Sequence, residues 1–482
     1  MGLQSFLIAG RHLLARRVES FLKNKVLFYA VLAIIMAGGT LLNYTSTTQV
    51  FILSYYEEFA QLIQAGICHS ELYKTAGTFP MWGYGFVFAL THNKVIILVV
   101  QQLMNLLVIY YFDSYLLKNY GAGKIHQGYR LLLLFSFPLF FFHAILWPYS
   151  FSSSFLLFGI FFLIKYLDQI DTDGSSVLIN IFISAGCLGI SLNFRSDYLL
   201  CIIGIFLVLM ITVLYNRKKN YLKHVLALNL WMLFILLILL PWGLYTKKVT
   251  HHYLVNSTNA GHVLYIGLGQ LPDNKWKIRP YDDDSSMRHV IETKLHPAVY
   301  STTTYQSDSL LKKEWFNKIT TDPGEYVKKC VYSFLSVFVQ PFAEGDGFKE
   351  SLSEEDLAAI REKMRRMQFN SLAVLFWQKA SPALLISLFT AIWGILLHLA
   401  FWVVLIKKIR KLPGIITKNN LLLISIIVIL YQIALLAAGY FHRNYNTNIY
   451  LLYTVVLLIL FYSFDTPQKM KGHQKNLELR QP

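Results

Sequence analysis

Lysine and arginine collect in every second loop between long apolar segments, and this alternation constrains the chain more than any single motif. The apolar runs cover 26–43, 93–113, 130–147, 152–167, 176–193, 198–215, 225–245, 381–406, 421–440 and 447–464. About 20 apolar residues are needed to cross the hydrocarbon core as a helix. Each crossing must satisfy its own backbone hydrogen bonds, which selects helices over open strands. The expected fold is therefore all-α and polytopic, with about ten transmembrane helices.

The charge pattern sets the expected orientation. The amino end is basic, and further clusters follow the second span (Lys118, Lys124, Arg130), the sixth (Arg217, Lys218, Lys219, Lys223) and the eighth (Lys407, Lys408, Arg410, Lys411, Lys418). Lys469, Lys471, Lys475 and Arg480 close the chain. Ten spans put all five sites on one side, so both termini are expected to be cytoplasmic. A bacterial inner membrane is the expected location, with the working surface extracytoplasmic. The first apolar run follows Arg11, Arg16, Arg17, Lys23 and Lys25 without a small-residue cleavage site, so it reads as a retained span. A net charge of +17 is mostly this topology signal, and it argues against a nucleic-acid partner. With 55% hydrophobic residues, membrane lipids are the default surroundings.

The other loops are where chemistry could sit. Residues 1–246 read as a transmembrane module with seven spans and a first outer loop, 247–376 as an extracytoplasmic loop domain, and 377–482 as a C-terminal transmembrane module with a basic tail. In the first outer loop, 51–66 carries a helical apolar pattern ending at Gly66, and 79–90 is aromatic and broken by glycine. Both segments read as interfacial helices, where Trp and Tyr prefer to lie. Residues 147–152 and 193–197 read as tight turns. The large loop predicts two amphipathic helices around Asp322-Pro323-Gly324 and another over 354–368.

Polar groups gather at the mouths of the spans on this side. They are Glu57 and Glu58, Trp82 and Tyr84, Arg195 and Asp197, Lys247 and Lys248, His262 and Tyr265, and finally His442, Arg443 and Tyr445. Charges at such depth are costly unless paired or functional. Carboxylates and cations on one membrane face suit a lipid-phosphate substrate. A cation holds the phosphate as it leaves, and a carboxylate takes a proton from the acceptor. Arginine fits a phosphate through its planar fork. A solvated glutamate face, a local Arg195–Asp197 ion pair, snorkelling at His442-Arg443 and a Trp82–Tyr84 interfacial belt are the structural readings of the same residues. The four cysteines show no metal-ligand spacing.

In the order of these parts the chain resembles membrane glycosyltransferases of the GT-C class, in the group related to protein O-mannosyltransferases and the lipid A aminoarabinose transferase. The likeness runs through Tyr56-Glu57-Glu58-Phe59-Ala60 to Gly66, then Phe79-Pro80-Met81-Trp82-Gly83-Tyr84. It continues with Arg195-Ser196-Asp197-Tyr198-Leu199, Pro241-Trp242, Asn259-Ala260-Gly261, Leu264-Tyr265-Ile266-Gly267, Asp322-Pro323, and Arg443 with Tyr445. The resemblance implies inverting transfer of a sugar from a polyprenyl-phosphate donor to a lipid, glycan or protein acceptor. It makes Glu57 or Glu58 the base, and places Glu57 beside a divalent cation such as Mg or Mn. Arg195, Arg443, Lys247 and Lys248 would bind the donor phosphate, and Trp82, Tyr84, Asp197, His262, Tyr265, His442 and Tyr445 the substrates. Two departures stand out. Relatives often carry a second acid where this chain reads Tyr149-Ser150-Phe151-Ser152-Ser153-Ser154, and an arginine where Tyr245 stands. A glycan ligase or polymerase, and a lipid-linked sugar transporter or flippase, are the alternative readings.

Overall fold

The computed structural model describes residues 16–44, 60, 81–136, 139–140, 143–170, 175–216, 221–280, 285–295, 304–339, 370–371, 374, 382–416, 419–440 and 446–462. No strand occurs among them. The helices are α1 (Arg16–Lys23), α2 (Lys25–Tyr44), α3 (Trp82–Thr91), α4 (Lys94–Tyr120), α5 (Lys124–Leu134), α6 (Pro148–Asp168), α7 (Ser175–Phe194), α8 (Leu199–Asn216) and α9 (Tyr221–Thr250). After them come α10 (Ala260–Gly267), α11 (Ser285–Lys294), α12 (Tyr305–Thr321), α13 (Pro323–Val339), α14 (Pro382–Lys408), α15 (Leu412–Ile416), α16 (Asn420–Ala438) and α17 (Tyr450–Tyr462).

Among the described residues seven helices are long and apolar enough to cross a membrane, or up to eight if α1 and α2 form one bent span. The chain is thus an all-α, multi-pass membrane protein. Eight of the ten expected spans fall on α2, α4, α6, α7, α8, α9, α14 and α16. The third does not form as expected. Helix α5 stops at Leu134, and Phe135 and Ser136 close it with turn-type bonds to Leu132 and Leu133. Pro138 follows, and it disfavours the α conformation at the residue before it. The segment 147–152 is also corrected: it is the first turn of α6, with Pro148 at the first helical position, where its missing N–H has no partner to lose.

The last apolar run contains only a 13-residue described helix, α17, and it is the central one. It packs against α5, α14 and α16, and Tyr450 through Val456 are buried on every side. A helix apolar all round belongs inside such a bundle. Helix α8 shows the opposite pattern. Cys201, Ile202, Ile205 and Leu209 face the core while Leu200, Leu207, Ile211 and Leu214 are exposed, the arrangement of a lipid-facing helix.

Hydrogen bonds align the helix ends. Tyr115 and Asn420 both donate to Asp168, at 2.6 and 2.8 Å, and Asn419 donates to Tyr120 at 2.7 Å. The C-terminal ends of α4 and α6 therefore meet the N-terminal end of α16. Lys118 sits at this end, hereafter the basic end. The opposite, distal end gathers the start of α6, the ends of α7 and α16, and the start of α8.

The helices expected around Asp322-Pro323 are present as α12 and α13. Asp322 breaks the pair and Pro323 starts the second helix. With α10 and α11 they enclose a small core of Tyr265, Ile266, Leu268, Ile278, Met287 and Leu311. This module, outer only in the sense that it lies beyond the helix bundle, meets the distal end of α16. A Cβ on Gly267 would lie 2.5 Å from Gly439 O, so only glycine permits the approach.

Candidate functional site

The end of α7 organises the distal end. Asn193, in its last turn, donates to Gly189 O at 3.0 Å and to Ile238 O of α9 at 3.3 Å. Its side-chain oxygen accepts from Trp82 Nε1 at 2.5 Å. Helix α3 comes in close here, because a Cβ on Gly83 would meet Asn193 O at 2.7 Å. One amide thus ties α3, α7 and α9 together. The sequence reading missed Asn193; its only signal was a polar residue ending an apolar run beside Arg195.

Tyr84 points inward from α3. Its hydroxyl donates to Gln101 Oε1 at 2.9 Å, and Gln101 Nε2 donates to the carbonyls of His143 and Ile145 at 3.1 and 2.9 Å. The irregular stretch ahead of α6 is fixed in this way, and His143 Nδ1 lies 2.6 Å from Ser150 Oγ. Tyr84 also packs with Phe88, Phe151 and Phe194. Trp82 and Tyr84 are therefore anchors of this end, each held by a named polar partner.

Arg195 and Asp197 follow directly. Their side chains form an ion pair, with 17% and 30% of their surfaces exposed. The Arg195 guanidinium lies 3.5 Å above the centre of the Tyr149 ring, a stacked cation–π arrangement. Tyr431 of α16 donates to Asp197 O at 2.6 Å, which pins the turn between α7 and α8. The structural reading of a local pair is correct in geometry. The pair nevertheless sits in a half-open position with an aromatic platform beneath the cation.

The serine run over 150–154 has a packing role. Ser191 Oγ donates to Ser152 O at 2.7 Å, joining α7 to α6. Ser153 Oγ donates to Asn448 O at 2.7 Å, joining α6 to the turn that leads into α17. Ser150, Ser152, Ser153 and Ser154 are all buried. A carboxylate there would be surrounded by helix backbone, and an unpaired buried charge is strongly disfavoured.

The remaining predicted residues are spread out. Lys247 and Lys248 are exposed in the last turn of α9. That turn folds back tightly: Thr246 accepts from Leu254 N at 3.0 Å, and Trp242 Nε1 donates to Asn256 O at 3.2 Å. His262 is buried, with Nδ1 3.2 Å from Asn259 Oδ1. Tyr265 lies in the core of the outer module, with Lys318 Nζ 5.8 Å from its ring centre. Glu57, Glu58, His442, Arg443 and Tyr445 lie outside the described residues, as do 354–368 and the predicted helix at 51–66 except Ala60.

Lys329 of α13 was not singled out by sequence. It is fully buried, and its amine reaches the carbonyls of Ala437, Ala438 and Gly439 at the end of α16. Tyr326 adds a bond to Ala438 O at 2.9 Å. These carbonyls have no partner within the helix, and a cation at a helix C-terminus meets the negative end of its dipole. Burial pushes the Lys329 amine down to about 8. The outer module is therefore clamped to α16 immediately before 441–445, which carries Arg443.

Among the described residues no group of three or more His, Cys, Asp or Glu is placed to hold a metal. Asp197 is already paired with Arg195, so the described part of the distal end does not fit a divalent cation. No family model matches the chain, and no curated protein or solved structure matches it.

Proposed function

We propose that the protein transfers a sugar from a polyprenyl-phosphate donor to an acceptor at the distal end of its helices, with Glu57 or Glu58 as base. The observation that supports this reading is Arg195, a cation steadied by Tyr149 and Asp197 at the half-exposed junction of α7 and α8. A departing carrier phosphate gains from a preorganised guanidinium in a position shielded from bulk water. The lipid-facing helices beside it, such as α8, give a polyprenyl chain an apolar surface to follow. Arg443 is the second phosphate ligand in this reading. Its segment begins after Tyr440, which donates to Pro280 O at 3.4 Å, and ends before Asn448, which accepts from Ser153. Both flanks belong to the distal end.

The reaction is an inverting displacement. The base removes the acceptor proton, the acceptor oxygen attacks the anomeric carbon, and the bond to the phosphate oxygen breaks with its electrons on the carrier phosphate. In proteoliposomes supplied with labelled polyprenyl-phosphate sugars, one of Glu57→Gln or Glu58→Gln is expected to lower transfer by roughly 10²-fold or more. Carrier binding should hardly change. Full activity in both single variants and in the double variant would remove these residues as the base and leave Asp197 to be tested.

A further inference from the structure

The basic end carries a feature that the proposed reaction does not use. Helix α1 turns 88° away from α2. Asn24 makes the break: its side-chain oxygen accepts from Leu27 N at 3.1 Å and caps α2, while its own N–H closes α1 onto Ser20 O. A helix perpendicular to a span, at the end of that span, lies along the membrane plane.

Its sequence suits that position. At 100° per residue, Val18, Phe21 and Leu22 share one arc, and Arg16, Ser20 and Lys23 occupy the opposite one. Leu22 is buried and Phe21 packs against the core, while Arg16, Arg17, Ser20 and Lys23 are exposed. Glu19 pairs with Lys23 at 2.7 Å, so the exposed face remains positive through Arg16 and Arg17.

The angle of α1 is fixed from inside. Arg130 of α5 donates to Leu22 O at 2.6 Å from one guanidinium nitrogen. Its other nitrogens grip both oxygens of Asp113 on α4, at 2.9 and 2.7 Å. His126 and Tyr29 approach the same carboxylate at 2.9 and 3.1 Å. A buried, bidentate node thus holds the carbonyl end of α1 against the bundle.

We infer that α1 is an in-plane docking helix for anionic phospholipid head groups, held at its angle by the Arg130–Leu22 bond. The positive face meets the head groups, and the apolar arc lies on the protein core and the acyl boundary. Each basic residue near an anionic surface adds appreciably to such binding, and salt weakens it.

The test uses the full chain in nanodiscs, one set of phosphatidylcholine alone and one with roughly a third phosphatidylglycerol. Amide hydrogen exchange over 16–23 is measured in the parent and in the double variant Arg16→Gln/Arg17→Gln. Exchange in the parent should slow roughly 10-fold in the anionic discs, and most of that slowing should vanish in the double variant or in high salt. Thermal unfolding in neutral discs serves as the folding control and should be unchanged by the double variant. Equal exchange in both lipids, or slowing that survives the double variant, would overturn the assignment. Slowing that appears only in discs holding two copies would overturn it in favour of a second chain as the partner.

Discussion

Two arginine–aspartate pairs mark opposite ends of this molecule. At the basic end, Arg130 and Asp113 are 2% and 1% exposed and joined through two bonds, with Leu22 O, His126 and Tyr29 completing the cluster. At the distal end, Arg195 and Asp197 are neighbours in a turn, partly open, with an aromatic ring as platform. The first arrangement joins α1, α2, α4 and α5 and leaves the pair no access to solvent. The second leaves its cation 17% exposed above an aromatic ring. The same two residue types thus serve cohesion in one place and, in the proposed reading, recognition in the other.

The comparison predicts unequal responses to truncation. Arg130→Ala strands a buried carboxylate and should destabilise the protein by about 3–5 kcal/mol, read as lost thermal stability in detergent. Replacing both partners, as Asp113→Leu with Arg130→Met, should recover much of that loss, because no unpaired charge remains. Equal instability in the single and double variants would show that the charges are not what the bundle depends on there. Arg195→Ala leaves a carboxylate that is still 30% exposed, so it should cost less stability than Arg130→Ala, while lowering sugar transfer severely. Arg195→Lys keeps the charge and loses the fork, so it should fall between alanine and the parent in turnover.

Smaller effects refine the distal end. Trp82→Phe removes the donor to Asn193 and should cost about 1 kcal/mol, with the loss confined to the α3–α7 contact. Hydrogen exchange at the end of α7 reads this locally. The outer module carries a pH-dependent contribution through Glu325. The Lys275 backbone N–H, 3.0 Å away, and the nearby Lys328 hold its carboxyl below the usual carboxylate range. Its contribution is therefore complete at neutral pH and is lost as pH falls through that lowered value. Glu325→Gln should flatten the acid limb of the module's stability curve.

How far the sequence was legible follows local physics. The α12–α13 break was readable because Asp322-Pro323 stops one helix and starts the next through the chain itself. Most spans were readable because lipid demands long apolar runs. Arg130 was read as a loop charge following the second span, and the structure places it in a buried node. Its partner was visible as Asp113 at the edge of an apolar run, but only tertiary packing brings the two together. Asn193 and Lys329 escaped for a similar reason, since each acts on carbonyl groups of a distant helix. The third span was expected to run on to 147, but its helix ends at Leu134, where Phe135 and Ser136 bond back to Leu132 and Leu133. The distal groups are partly local, as with Arg195 and Asp197 two residues apart. Tyr149 joins them from a different helix, and no spacing rule reveals that.

The central claim is that the distal end receives a carrier phosphate. Binding of a radiolabelled polyprenyl phosphate to purified protein tests it most directly, with the parent, Arg195→Ala and the Asp113→Leu/Arg130→Met pair measured side by side. Arg195→Ala should lose at least roughly 10-fold in affinity while keeping a cooperative thermal transition, the scale expected when a ligand charge loses its partner. The double variant at the basic end should bind like the parent. Parent-like binding by Arg195→Ala, or no specific binding by the parent itself, would contradict the account.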